Sequence, residues 1–185
     1  MRVIIGLTSF IGAGKTTTGD YLVKKGFVFY SLSDVIREEI KSRGLEVTRD
    51  RLVEVGNELR KKFGSSVLAD RIIEKINKEP NKNYVVDSIR NPAEIIALRK
   101  RKDFKLLFID APIELRFKRT AERQREKDPV TFEDFKKAEQ REMQSKDSSS
   151  QQLLKCKQMA DAVIINYSTV KALYKKIDKL VEGAR

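Results

Sequence analysis

The first twenty residues, MRVIIGLTSFIGAGKTTTGD, constrain the fold more than any other part of the chain. An apolar run, Val3-Ile4-Ile5, leads into a turn of small residues, then Gly14-Lys15-Thr16, then a stretch able to form a helix. The order reads as strand, anion-binding loop, helix. Gly12 and Gly14 permit a tight turn that brings backbone N–H groups close to phosphate oxygens. The following helix directs its positive end at the same anion. Lys15 is able to reach the outer phosphates, and the Thr16 hydroxyl is a Mg²⁺ ligand of the right type. The expected phosphate-holding segment is therefore Gly12, Ala13, Gly14, Lys15, Thr16 and Thr17. One position departs from the G-x-x-x-x-G-K-[ST] pattern: Ser9 stands where the first Gly is expected. A glycine-rich turn that binds nothing is the alternative, and the strand before and helix after weigh against it.

A chain of 185 residues is expected to form one domain, 1–185, with 126–157 as a lid or insert. At that size no disulfide or metal is required for stability. No apolar stretch is long enough to span a bilayer. The N-terminus reads as a strand feeding a loop, not a signal peptide, so a cytoplasmic location and no membrane partner are expected. Cys156 is the single cysteine, which excludes an intrachain disulfide and a cysteine metal cluster. The absence of histidine excludes imidazole chemistry and His-ligated zinc. The formal net charge of +12 suits a cleft for polyanionic small molecules or a nucleic-acid-binding face. The basic residues are interleaved with acids along the whole chain, which favours the first reading or a solvated surface.

Strand-like runs recur at Val3 to Leu7, Phe27 to Tyr30, Tyr84 to Val86, Phe104 to Ile109 and Ala162 to Ile165. Most are continuously apolar, as expected for parallel strands covered on both faces. The segments between them read as helices. Thr16 to Lys25 stops at Gly26. Ser33 is placed to cap Asp34 to Ser42, and Thr48 to cap Arg49 to Lys62. Pro92 and Pro112 suit the first turns of Ala93 to Lys102 and Ile113 to Glu126. Thr131 with Asp134 resembles a capping box opening Phe132 to Gln144. Ser168 is placed to cap a final helix ending at Gly183. Alternating strands and helices predict an α/β protein of three layers, α/β/α, with a five-stranded parallel sheet. The segment Glu126 to Lys157 reads as a helical hairpin or lid with a serine-rich tip, or as an ordinary surface loop.

Ligands of an open parallel sheet bind at the carboxyl ends of its strands. After the second strand, Asp34 and Arg37 share a helix face; Arg37 suits a substrate phosphate, with a plain local ion pair as the alternative. After the third, Asp87 is placed to orient Mg²⁺ or its water, with Arg90 facing the same cleft. The alternative for Asp87 is a cap for the helix near Pro92. After the fourth come Asp110 and then Arg116, Arg119 and Arg123 at helical spacing, suited to neutralise a transferring phosphoryl group. A solvated basic face is the alternative there. Gly56, inside a helical stretch, costs up to about 1 kcal/mol relative to Ala. Either a ligand approaches the backbone there, with Arg60 one turn on as an acceptor contact, or another helix packs against it.

Together these stretches resemble the P-loop kinases of the nucleoside monophosphate kinase and dephospho-CoA kinase group. They are most similar to small archaeal proteins described as dephospho-CoA kinase-like or adenylate-kinase-related. Gly12 to Thr16 matches the phosphate loop. Ser33 to Arg37 is similar to an acceptor-binding helix start, and Val85 to Arg90 to a strand-Asp…Arg segment with one residue fewer. Asp110-Ala111-Pro112 with Arg119 and Arg123 resembles a lid entrance whose arginines contact ATP; Arg141 matches a later lid arginine only loosely. Ala160 to Asn166 is similar to the last strand of dephospho-CoA kinases, which implies that Asn166 lies near the adenine.

The resemblance implies ATP as phosphoryl donor, Mg²⁺ held by Thr16 and Asp87, and a small nucleotide as partner. The expected catalytic set is Lys15, Asp87, Arg119 and Arg123; the expected substrate-binding set is Asp34, Arg37, Arg60 and Arg90. A nucleoside monophosphate offers an oxygen already anionic at neutral pH, which needs charge neutralisation and alignment but no base. Dephospho-CoA offers a ribose 3'-hydroxyl, which benefits from a carboxylate. Dephospho-CoA kinases typically carry an Asp-x-Asp pair after the second strand, and Leu32-Ser33-Asp34 lacks its first acid. A nucleoside or deoxynucleoside monophosphate kinase is therefore expected, with dephospho-CoA kinase second. The non-enzymatic alternative is a basic P-loop protein that binds nucleic acid. No Asn-Lys-x-Asp segment argues for a GTPase.

Overall fold

The computed structural model describes residues 2–122, 131–143 and 151–183. Arg123, the serine-rich tip at 144–150 and the Arg141 side chain lie outside that description. The strands are β1 (Ile4–Ser9), β2 (Val28–Ser31), β3 (Tyr84–Asp87), β4 (Phe104–Asp110) and β5 (Ala162–Ile165). The helices are α1 (Lys15–Lys24), α2 (Leu32–Ser42), α3 (Arg49–Phe63), α4 (Val67–Lys78), α5 (Pro92–Leu98), α6 (Ile113–Glu122), α7 (Phe132–Met143), α8 (Leu153–Gln158) and α9 (Val170–Gly183). All five strands are parallel, in the order β2-β3-β1-β4-β5.

The apolar runs alternate between two cores, as a pleated strand requires. Ile4, Tyr84, Val86 and Leu106 point to the layer of α2, α3, α4 and α5, where Cys156 of α8 is also buried. Val3, Ile5, Val85, Leu107 and Ile109 point to the layer of α1 and α9. The three-layer α/β/α expectation therefore holds. After β1 the chain enters α1 on one face; after β3 it enters α5 on the other. β1 and β3 are neighbours, so their carboxyl ends flank a crevice between diverging connections, the usual ligand site of an open sheet.

Several local readings shift. Ser31, not Ser33, caps α2: its Oγ accepts the Ser33 N–H at 3.3 Å, so the helix starts at Leu32. Thr169, not Ser168, accepts from the Ala172 N–H at the start of α9. Asn91 caps α5 and completes a capping box with Glu94, which removes the capping alternative for Asp87. α5 stops at Leu98 because the chain must turn to enter β4 at Phe104. α4 is an element the sequence reading passes over. It buries Val67, Leu68, Ala69, Ile72 and Ile76 along one side, and the hydroxyl of its N-cap residue, Ser66, bonds the Asp70 carboxylate instead of a backbone N–H. Gly56 is explained by packing. A Cβ there would lie 2.9 Å from Ile36 Cδ1, so its absence lets α2 settle against α3.

Candidate functional site

The loop between β1 and α1 is shaped by two left-handed glycines, Gly12 (φ +74°) and Gly14 (φ +106°). Space adds to the dihedrals, firmly at Gly12, where the neighbour is backbone, and less so at Gly14, where it is a side-chain tip. A Cβ on Gly12 would meet the Arg116 carbonyl oxygen at 2.4 Å, and one on Gly14 would meet Asn166 Nδ2 at 2.4 Å. Ser9 ends β1, in register with Ile109 of β4, and does not adopt a left-handed backbone. The Ser for Gly departure therefore carries no conformational penalty, and Ser9 lines the cleft along with Gly12 to Thr17.

Lys15 opens α1 and crosses the crevice to β3, its Nζ donating to Asp87 Oδ1 (2.5 Å) and Oδ2 (2.6 Å). Burial pushes the Lys15 pKa below the ordinary lysine value, and the Asp87 carboxylate pulls it back only in part. Asp87 is buried at the very end of β3. Ser88, which no sequence motif singles out, bonds the same carboxylate and is the one described non-glycine residue with positive φ. A serine between an aspartate and an isoleucine carries no sequence sign of that backbone.

The opposite wall comes from α2, α3 and the β3–α5 turn. Arg37 donates to Asp34 at 2.6 Å, and both side chains are about half exposed at the cleft mouth. Arg60 reaches the cleft from α3 but is not solvated. Its Nε and Nη2 both donate to Glu94 Oε1, at 3.0 and 2.9 Å, and Glu94 is fully buried. The second Glu94 oxygen accepts the backbone N–H groups of Arg90 and Asn91. Glu94, read in the sequence only as part of a helix, thus anchors Arg60 and the Arg90 turn together. Arg90 itself donates to Gln151 Oε1 at 2.8 Å. Leu32, Ile36, Val47, Leu52 and Leu68 supply apolar surface between these charges. The whole cleft measures about 1110 Å³, above the range of a typical single-ligand pocket.

The α6 arginines do not act as one row. Arg116 is buried, paired with Glu139 of α7 at 2.8 Å, and donates to the Ala111 carbonyl at 2.8 Å and the Ile11 carbonyl at 3.3 Å. Its guanidinium lies over the Phe10 and Phe135 rings. It fastens α7 to the phosphate loop and is not a cleft residue. Arg119 does line the cleft, donates to the Asn166 carbonyl at 3.1 Å, and has its pKa lowered by burial. Asn166 sits beneath the loop, its Nδ2 donating to the Ala13 carbonyl at 2.9 Å. That amide is spent on the loop backbone, so the side chain supports the loop from below and does not line the cleft. Asp110 is taken up by Lys157 of α8 at 2.7 Å.

A Mg²⁺-bound polyphosphate fits this donor set. Mg²⁺ keeps most of its waters and needs one or two protein oxygens plus phosphate oxygens, not an all-protein cage. Thr16 and Asp87 line one cleft, beside loop amides at the start of a helix.

A protein family described as AAA domain matches residues 11–136, which include the loop, Asp87 and Arg119. A UPF0200 protein of Thermococcus gammatolerans is 30% identical over 185 residues, covering 97% of this chain and 94% of that one. The chain belongs to the UPF0200 family. The UPF0200/UPF0201 protein of Archaeoglobus fulgidus is 34% identical over 188 residues, covering 98% of this chain and 55% of that protein, so this UPF0200 chain spans about half that relative's length. Among solved structures, TT1252 from Thermus thermophilus matches with TM-score 0.62 and 18% identity, covering 98% and 97% of the two chains. The dephospho-CoA kinase from Campylobacter jejuni matches with TM-score 0.53 and 18% identity, covering 100% and 98%. At such identities the likeness is one of fold, and the UPF0200 chain has the fold of the P-loop kinase group. No described helix is long and apolar enough to cross a membrane.

Proposed function

We propose that this chain transfers the γ-phosphoryl group of ATP to a nucleoside or deoxynucleoside monophosphate in the cytoplasm. One observation carries the reading: a single cleft has the glycine loop with Lys15 and Asp87 on one wall and Arg37, Arg60 and Arg90 on the other. The cleft's size supports two ligands side by side. The loop amides and Lys15 hold the donor phosphates. Mg²⁺, when bound through Thr16 and Asp87, supplies charge neutralisation between the outer phosphates. Lys15 leaves Asp87 for phosphate as the nucleotide arrives, so the pair keeps both groups ordered beforehand. Arg37, Arg60 and Arg90 align the acceptor phosphate, whose oxygen is already ionised and needs no general base. Arg119 adds positive charge from α6, and Arg123 is proposed to join it from the segment that follows.

The test is a phosphotransfer screen with MgATP against all ribo- and deoxynucleoside monophosphates, dephospho-CoA and shikimate. Transfer to one class of monophosphate, lost in Lys15→Ala, is the expected result. Turnover of dephospho-CoA alone would replace this acceptor assignment with a ribose hydroxyl and give Asp34 or Asp87 the role of base. Steeply salt-dependent polynucleotide binding without turnover would point to the nucleic-acid reading.

A further inference from the structure

The β3 strand ends in a backbone conformation that a side-chain-bearing residue rarely adopts. Ser88 has φ +63° and follows Asp87 directly. Glycine would take up this geometry without strain, whereas any L-residue pays for its Cβ. What serine adds over glycine is one Cβ and one hydroxyl, and the hydroxyl has a definite destination. It donates to Asp87 Oδ2 at 3.2 Å, the oxygen that also accepts Lys15 Nζ at 2.6 Å. Ser31 and Asp87 are paired in register across β2 and β3, and Ser31 Oγ donates to Ser88 Oγ at 3.1 Å. Ser31 Oγ in turn accepts the Ser33 N–H that starts α2, the helix bearing Asp34 and Arg37. Ser31, Ser88 and Asp87 all line the cleft.

We infer that Ser88 is a positioning residue, holding the Asp87 carboxylate through its hydroxyl and coupling it through Ser31 to the start of the acceptor helix. The inference rests on the cleft being the phosphotransfer site proposed above. The order of donors gives it direction. The backbone orients Ser31, Ser31 orients Ser88, and Ser88 orients a carboxylate oxygen that would otherwise answer only to Lys15. Once Lys15 turns to a phosphate, the Ser88 bond is what keeps Asp87 oriented in the cleft, where with Thr16 it would hold Mg²⁺. Displacement of α2 by an acceptor is then felt at Asp87 through two hydroxyls. Unconnected walls would have no such path.

The test compares wild type with Ser88→Gly, Ser88→Ala and Ser31→Ala. Ser88→Gly removes the hydroxyl and the strain together, so it is expected to fold with an unchanged or higher Tm. It should nevertheless weaken MgATP binding about tenfold by calorimetry while leaving ATP binding in EDTA unchanged, with kcat falling more than KM rises. Ser88→Ala should show the same Mg²⁺-specific loss at a lower Tm. Ser31→Ala should lose a few-fold, with no added loss when combined with Ser88→Gly, because the two act in series. A crystal structure of nucleotide-free Ser88→Gly should show the Asp87 carboxylate rotated from its wild-type position. An Asp87 that stays in place, with MgATP binding equal to wild type, would overturn the inference. Wild-type protein that binds no ATP at all would instead sink the phosphotransfer reading, and the Asp87 position in the variant crystal would still decide what Ser88 does.

Discussion

The two walls of the cleft are held by different means. The donor wall is fixed chiefly through its backbone: Gly12 presses against the Arg116 carbonyl with no room for a methyl group, and Gly14 holds a left-handed backbone against the Asn166 amide. The acceptor wall is fixed through side chains, by the buried Arg60–Glu94 pair at its base and the exposed Arg37–Asp34 pair at its mouth. A phosphate tail is the same in every nucleoside triphosphate, so a rigid backbone cradle suffices for it. An acceptor varies in base and sugar, and exposed side chains adapt to it where backbone does not. The contrast predicts that donor-wall changes are all-or-none, whereas acceptor-wall changes are graded from base to mouth.

The largest effect tests the donor wall. Lys15→Ala should cut turnover by roughly 10³-fold, the scale of losing one preorganised charge at a reacting oxyanion, as read by steady-state phosphotransfer. Next is the base of the acceptor wall. Glu94→Gln leaves the Arg60 charge buried without its counter-ion and should cost about 3–5 kcal/mol of stability in urea unfolding. Stability within 1 kcal/mol of wild type would show that the base is as tolerant as the mouth. Gly14→Ala should cost about 1–3 kcal/mol from backbone strain alone. It should also abolish nucleotide binding by calorimetry, because Asn166 must move. Arg37→Ala should leave stability within about 0.5 kcal/mol, since its ion pair is half exposed, yet raise the acceptor KM about tenfold with little change in MgATP affinity. An equal loss of both affinities would erase the distinction between walls.

The smallest effect concerns pH. Lys15 has a folded-state pKa below the ordinary lysine value of 10.5, because burial disfavours its charged form. Its contribution to stability therefore rises with pH between the folded and unfolded values, since the unfolded chain binds more protons there. Nucleotide binding should move the opposite way, weakening on the alkaline side before a free lysine would titrate. An alkaline limb at or above 10.5 in ATP affinity would contradict the burial seen for Lys15.

The sheet, the loop and the strand-end acids were legible because each is written in contiguous residues. Short apolar runs such as Phe104 to Ile109, set between helical stretches, read as buried strands, and Gly14-Lys15-Thr16 between strand and helix has few alternatives to an anion site. Asp87 was legible as the polar end of an apolar strand. α4 was not read, although Ser66 is a cap-type residue ahead of Val67, Leu68, Ile72 and Ile76; in the structure its hydroxyl goes to Asp70 instead of a backbone N–H. The split between Arg116 and Arg119 was also invisible. Both occupy the helix spacing that suggests one cationic face, but Glu139 lies 23 residues beyond Arg116 and draws it inward.

The sequence by itself determined what kinds of groups are available and the order in which they leave the sheet, because strand periodicity and glycine torsions act within a few residues of one another. Only the tertiary structure decided which charges are spent on each other. Arg60 with Glu94, Arg116 with Glu139, and Lys15 with Asp87 are pairs separated by 34, 23 and 72 positions. Such pairings depend on which side chains burial brings within hydrogen-bond reach. A charge removed from water must find its partner in space, whatever its distance along the chain.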